Sequence, residues 1–149
     1  DVRLRYAYII TCTHIEKDAA GEIETIHCTY DPDTKSGTEG ASKRKVKGNI
    51  HWLSKQHAQP AEIRLYDRLF LDSHPDAGGK DYKTLINPES KETITAYIEQ
   101  SLCEAEPEQH FQFERNGYFV SDQKLSKQNK PVFNRAVTLR DSWGSATKN

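Results

Sequence analysis

Residues 111–122 read FQFERNGYFVSD. Two apolar-containing runs flank Asn116-Gly117, a pair that tolerates positive φ at both central positions of a two-residue turn, so a β-hairpin is expected here. Alternation places Phe111 and Phe113 on one face, packing inward, and Gln112 and Glu114 on the other, with Arg115 at the bend. A polar loop, KLSKQNK, then leads into a final strand-like run, VFNRAVTL, at 132–139.

Upstream of that hairpin, residues 92–98 (ETITAYI) alternate as a strand, and 99–107 suit a short polar helix stopped by Pro107. Residues 87–90 (NPES) form a turn, and 72–81 (DSHPDAGGKD) a loop. In 61–71 (AEIRLYDRLFL) the first half alternates as a strand, while the second suits strand or helix. Residues 46–53 (VKGNIHWL) are another strand, and 31–45 a polar surface loop. The chain opens with VRLRYAYIITCTHI (2–15), a turn DAAGE (18–22) and IETIHCTY (23–30), which together predict a long hairpin. With the turn centred near Ala20, cross-strand partners have numbers summing to about 40. Val2, Leu4, Tyr6, Tyr8, Ile10, Cys12, Ile26, Cys28 and Tyr30 then share a face expected to be the core, and Arg3, Arg5, Thr11, Thr13 and Thr29 lie on the other. Short strands between turns, with little helix, indicate a mostly-β barrel or sandwich. No internal repeat or low-complexity segment interrupts the pattern.

Leu, Ile, Val and Phe contribute 29 of the 149 residues, so the core is lean; 21 basic against 22 acidic residues give a net charge of only −1, which argues for a folded chain with long polar loops rather than a disordered tail. No apolar run is long enough for a membrane-spanning helix, and no signal peptide opens the chain. Methionine is absent, position 1 included, so a processed product or a piece of a longer protein is expected. Three cysteines do not make a disulfide framework, and a reducing, cytoplasmic setting follows.

Cys12, His14, His27 and Cys28 are residue types that bind zinc. In the simple register, however, His27 points away from the other three, so no metal site is expected and Cys12 and Cys28 read as neighbouring reduced thiols on the inner face. GxxxxGK[ST], GxGxxG, GxSxG and HExxH are all missing from the sequence, so no autonomous catalytic site is expected. Asp67 and Asp141 read as ion-pair partners of Arg68 and Arg140. The basic groups are local: Lys43, Arg44, Lys45 and Lys47 cluster, Arg3 and Arg5 share a strand face, Arg115 sits at the bend near Gln112, and Arg135 and Arg140 lie near the end. Such a cluster is commonly a solvated surface. Arg and Gln on a sheet can nevertheless read unpaired bases, with lysines holding phosphates.

Several strings carry a resemblance. VRLRYAYII (2–10), CTYDPDT (28–34), VKGNIHWLS (46–54), PAEIRLYDRLF (60–70), LINPES (85–90), FQFERNGYF (111–119) and VFNRAVTLRDSW (132–143) resemble, in order, the carboxy-terminal anticodon-binding domain of glutaminyl-tRNA synthetases. The resemblance implies one anticodon-binding region over 1–149, built as two interleaved, ribosomal-protein-like β-barrels, with the start of the first barrel missing. It implies a monomer whose partner is the anticodon stem-loop of the tRNA for glutamine. It also implies an upstream catalytic domain, absent from this chain, that uses ATP with magnesium; the chain itself is expected to be inactive and to hold no cofactor. Residue by residue, it implies anticodon contacts for Arg3 and Arg5 in VRLR, for Gln112 and Arg115 in QFER, and for Ser142 in RDSW, where Thr is common. Gln112 and Arg115 would meet the middle anticodon base, a uridine, whose edge offers two carbonyl acceptors and one N–H donor. A stand-alone ribosomal-protein-like RNA-binding module and the related domain of a glutamyl-tRNA synthetase are the alternatives.

Overall fold

The computed structural model describes residues 1–139. The chain forms two compact units, one from Asp1 to Trp52 and one from Leu53 onward.

The first unit is a four-stranded sheet of β1 (Val2–Leu4), β2 (Ile9–Lys17), β3 (Ile23–Asp31) and β4 (Gly48–Ile50), in the order β3-β2-β1-β4. β1 is antiparallel to β2 and parallel to β4. Residues 2–15 are therefore two strands rather than one. Between them the chain turns back: the Ala7 amide donates to the Leu4 carbonyl and the Leu4 amide to that of Tyr8, both at 2.9 Å. Tyr6 occupies the left-handed region (φ 61°), which no strand residue can hold, and its side chain is 71% exposed instead of packing in a core. The turn also changes which isoleucine is inside. Ile9, not Ile10, is fully buried, and its amide donates to the buried Thr34 hydroxyl at 2.9 Å.

The long hairpin forms, and its first half keeps the expected register, with Cys12 opposite Cys28. A bulge between Cys12 and His14 then shifts the pairing, so that His14 faces His27 and Ile15 faces Ile26. The extra residue, Thr13, donates its hydroxyl to the His27 carbonyl at 3.1 Å. An inserted residue reverses the facing of everything beyond it on that strand. This is why His27 meets His14 rather than pointing away from it. The Cys12–Cys28 face is not an inner face either. Both cysteines are exposed, as are Ile26 (55%) and Tyr30 (63%), because within this unit no second layer covers the hairpin.

The second unit is a five-stranded sheet of β5 (Gln59–Tyr66), β6 (Lys91–Ile98), β7 (His110–Phe113), β8 (Gly117–Ser121) and β9 (Val132–Val137), ordered β6-β5-β9-β8-β7. All neighbours are antiparallel except β5 and β9. Alternate residues of the central strands build the core: Ala61, Ile63, Phe119 and Phe133, joined by Ile98 and, partly buried, by Leu65, Phe111 and Phe113. Phe113 stacks on Phe119 with ring centres 4.3 Å apart and meets Phe133 edge-on at 5.3 Å, while Phe111 meets Phe133 edge-on at 5.7 Å. Fully burying a ring, as for Phe119 and Phe133, stabilises the fold by roughly 1.5–3 kcal/mol. Beyond Tyr66 neither strand nor helix continues; Leu69 and Leu71 are exposed, and Asp67 pairs with Arg68 at 3.8 Å as expected. The polar helix before Pro107 is only a 3-10 turn, Gln100–Glu104.

The fold is thus mostly β, as read from the sequence, and is carried by two separate sheets. Neither closes into a barrel among the described residues. No helix among these residues is long and apolar enough to cross a membrane.

Candidate nucleic-acid interface

The β7–β8 hairpin is built by its aromatic face. Phe111 and Phe113 are held in the core, so Gln112, between them, must face outward, and it is exposed. Directly across the ladder from Gln112 stands Tyr118, 45% exposed on the same face. The connection is longer than Asn116-Gly117 alone. Phe113 pairs with Gly117, and Glu114, Arg115 and Asn116 form the loop, closed by the Asn116 amide donating to the Phe113 carbonyl at 2.9 Å. The positive φ falls on Arg115 (63°), not on Asn116. Arg115 thereby occupies the third position of a β-turn, which with positive φ normally takes Gly or Asn. Gly117 takes φ 149°, and a Cβ there would lie 2.6 Å from the Val137 carbonyl oxygen, so this glycine is required by the close approach of β9. The outcome is an exposed arginine in the hairpin loop and, on the two strands it joins, an outward pair of Gln112 and Tyr118. Tyr118 was not singled out from the sequence. The sequence held no signal for it, since a two-residue turn at Asn116-Gly117 would set Tyr118 opposite Arg115, and only the longer 114–116 loop brings it opposite Gln112.

In the first unit, Arg3 and Arg5 are used differently. The Arg3 guanidinium donates to the carbonyls of Thr34 and Ala41, both at 2.8 Å, with longer contacts of 3.4 Å to the Ala7 carbonyl and the Ser36 hydroxyl. It pins the 32–42 loop to β1. Arg5 continues the sheet with its amide donating to the Ile50 carbonyl at 3.0 Å, and its own carbonyl accepts from the Trp52 indole at 3.0 Å. Its guanidinium lies 5.1 Å from the centre of the Tyr6 ring and donates to the Tyr6 hydroxyl at 3.3 Å. Arg5, Tyr6 and the 43%-exposed Trp52 therefore combine a cation with two accessible aromatic faces. In the basic cluster, Arg44 is committed to Asp1 and to Asp31 (3.2 Å), whereas Lys43, Lys45 and Lys47 are exposed. Ser142 and Arg140, with Asp141, lie outside the described residues.

Exposed Arg, Gln and aromatic side chains on a sheet are the groups that stack on and hydrogen-bond unpaired bases. Comparison with known proteins gives this surface its context. Residues 49–122 match the family model of the anti-codon binding domain of class I tRNA synthetases (E and Q). The chain belongs to this family. Over 143 residues, 96% of its length, it is 66% identical to a glutamine–tRNA ligase of Nitrosomonas europaea and 60% identical to one of Cupriavidus metallidurans. It spans about a quarter of the length of these curated relatives, 26% and 25% respectively. The family match runs through β5, β6 and the whole β7–β8 hairpin, so Gln112, Arg115 and Tyr118 lie inside the anticodon-binding domain.

Proposed function

We propose that this chain is the anticodon-reading part of a glutamine–tRNA ligase, and that Gln112 and Arg115 read the middle anticodon base. The observation that carries the second statement is the left-handed conformation of Arg115. A non-glycine residue there costs on the order of 1–2 kcal/mol. Strain of that kind is retained where a side chain is needed at that point. The uracil edge would accept from Arg115 through its carbonyl oxygens and donate its N3–H to the Gln112 amide oxygen, while Tyr118 stacks on a neighbouring base. Arg5 and Tyr6 offer a second contact of the same chemistry in the first unit. Arg3, bound to backbone carbonyls, acts by shaping the loop beside them. Ser142 retains a hydroxyl for a backbone or base contact.

In this reading the partner is the tRNA for glutamine, bound by a monomeric enzyme in the cytoplasm. Glutamine activation, with ATP and magnesium, belongs to a catalytic domain outside this chain. The decisive test is the specificity constant of the full-length protein and its Arg115→Ala variant, for cognate tRNA and for a transcript altered at the middle anticodon base. The variant is expected to lose roughly 1–3 kcal/mol of discrimination between them. Full retention of the wild-type preference would remove Arg115 from base reading.

A further inference from the structure

The bulge in β2 makes a cluster of titratable side chains in the first unit, outside the residues assigned above to anticodon reading. By placing His14 opposite His27, it stacks their rings with centres 4.0 Å apart and planes 7° apart. The Glu16 carboxylate lies beside both: its Oε1 is 2.7 Å from His27 Nε2 and 3.9 Å from His14 Nε2. The three donor atoms all lie within 4.8 Å of one another. We propose that His14, Glu16 and His27 form a binding site for a divalent cation of the zinc class on the β2–β3 hairpin.

The donor set and the spacing both support this. Two imidazoles and one carboxylate are a set that zinc accepts, with a water in the fourth position. At metal–ligand distances of about 2.0–2.1 Å, tetrahedral geometry puts ligand atoms about 3.3–3.4 Å apart. The observed distances of 2.7 and 3.9 Å bracket that separation. Convergence needs only rotation about side-chain torsions, and those side chains are 60%, 56% and 40% exposed for His14, Glu16 and His27, so nothing packed has to move. The carboxylate offsets part of the cation's charge, and the Nε2–H now donated to Glu16 gives way to the metal bond. Two ligands come from β2 and one from β3, so the cation would clamp the strands across the hairpin. The thiols of Cys12 and Cys28 are excluded by the same bulge, because they belong to the opposite face of the hairpin.

The test is zinc titration of the untagged chain in competition with a chromophoric chelator, with cobalt(II) substitution as a spectroscopic probe. One zinc per chain is expected, and cobalt should give d–d bands without a thiolate charge-transfer band. Glu16→Gln and His27→Gln should each weaken binding by at least the roughly 10–100-fold that follows loss of a metal ligand's outer partner. The double variant Cys12→Ser/Cys28→Ser should bind zinc as the wild type does. Glu16, Cys12 and Cys28 are exposed and His27 is half-buried, and circular dichroism checks that the variants fold. Absence of stoichiometric zinc, unchanged affinity in His27→Gln, or a thiolate band would each overturn the proposal.

Discussion

Gln112 stands directly opposite Tyr118 on the outward face of the β7–β8 hairpin, while the residues flanking both, Phe111, Phe113 and Phe119, are drawn into the core. The aromatic core fixes the backbone that presents this polar-aromatic pair, so packing and recognition are separable along one strand.

Tyr118→Ala is accordingly expected to weaken binding of the anticodon stem-loop by roughly 1–3 kcal/mol, the loss of one stacked base. Thermal stability should barely change, since the side chain is half in solvent. Tyr118→Phe should retain the affinity. Binding isotherms at fixed salt for the three proteins check this, and an unaffected Tyr118→Ala variant would show that no base stacks there.

Arg115→Gly separates backbone from side chain. Glycine takes the left-handed conformation without the Cβ penalty, so the variant should be at least as stable as the wild type in urea unfolding. It should nonetheless discriminate between anticodon variants as poorly as Arg115→Ala does. A variant that is destabilised would mean that the Arg115 side chain holds the turn together.

Arg3→Lys is expected to act on stability. A lysine cannot span the carbonyls of Thr34 and Ala41 as the planar guanidinium does. Loss of those bonds should cost about 1–3 kcal/mol of unfolding free energy. The ratio of specificity constants between tRNAs with different anticodon bases should stay as in the wild type. A changed ratio with unchanged stability would make Arg3 a base-contacting residue.

Asp122 gives a pH prediction. The Asn134 amide donates to it at 2.8 Å, the amides of Leu125 and Lys124 each at 2.9 Å, and Arg64 lies 3.9 Å away. These contacts, the Asn134 bond foremost, hold its carboxyl below the usual carboxylate range against the cost of burial. A carboxyl lowered in the folded state stabilises the fold above its ordinary pKa of about 3.9, and that contribution disappears as pH falls through the lowered folded value. Asp122→Asn should therefore cost roughly 1–3 kcal/mol near pH 7 and show a shallower loss of stability below about pH 4. Urea midpoints measured from pH 2 to 7 for both proteins test it.

The thiols report on the first unit. Cys12 and Cys28 are exposed and Cys103 is half-buried. In the native state two thiols should react rapidly with an aromatic disulfide reagent and the third more slowly. Slow reaction of all three would show that the hairpin face is covered.

The local patterns determined a good deal without any tertiary information. Alternation in 61–66, 92–98 and 111–113 marked strands, because a half-buried strand must place every second residue in the core. It also assigned Phe111 and Phe113 inward and Gln112 outward, and ordered strings along nearly the whole chain pointed to the family. Where the pattern failed, the reason was one residue off the extended conformation. Tyr6, at positive φ, split a run that alternates well on paper. The bulge at Thr13 reversed the facing of His14, Ile15 and Glu16, and so brought together a His–Glu–His group that simple pairing keeps apart. A pleat has a period of two, so a single extra residue changes which side chains meet without changing the composition of either strand. The choice between Arg115 and Asn116 for the left-handed position was decided likewise by the tertiary structure, in which Gly117 is a ladder partner of Phe113, packed against β9, rather than a turn residue, so that 114–116 form the loop.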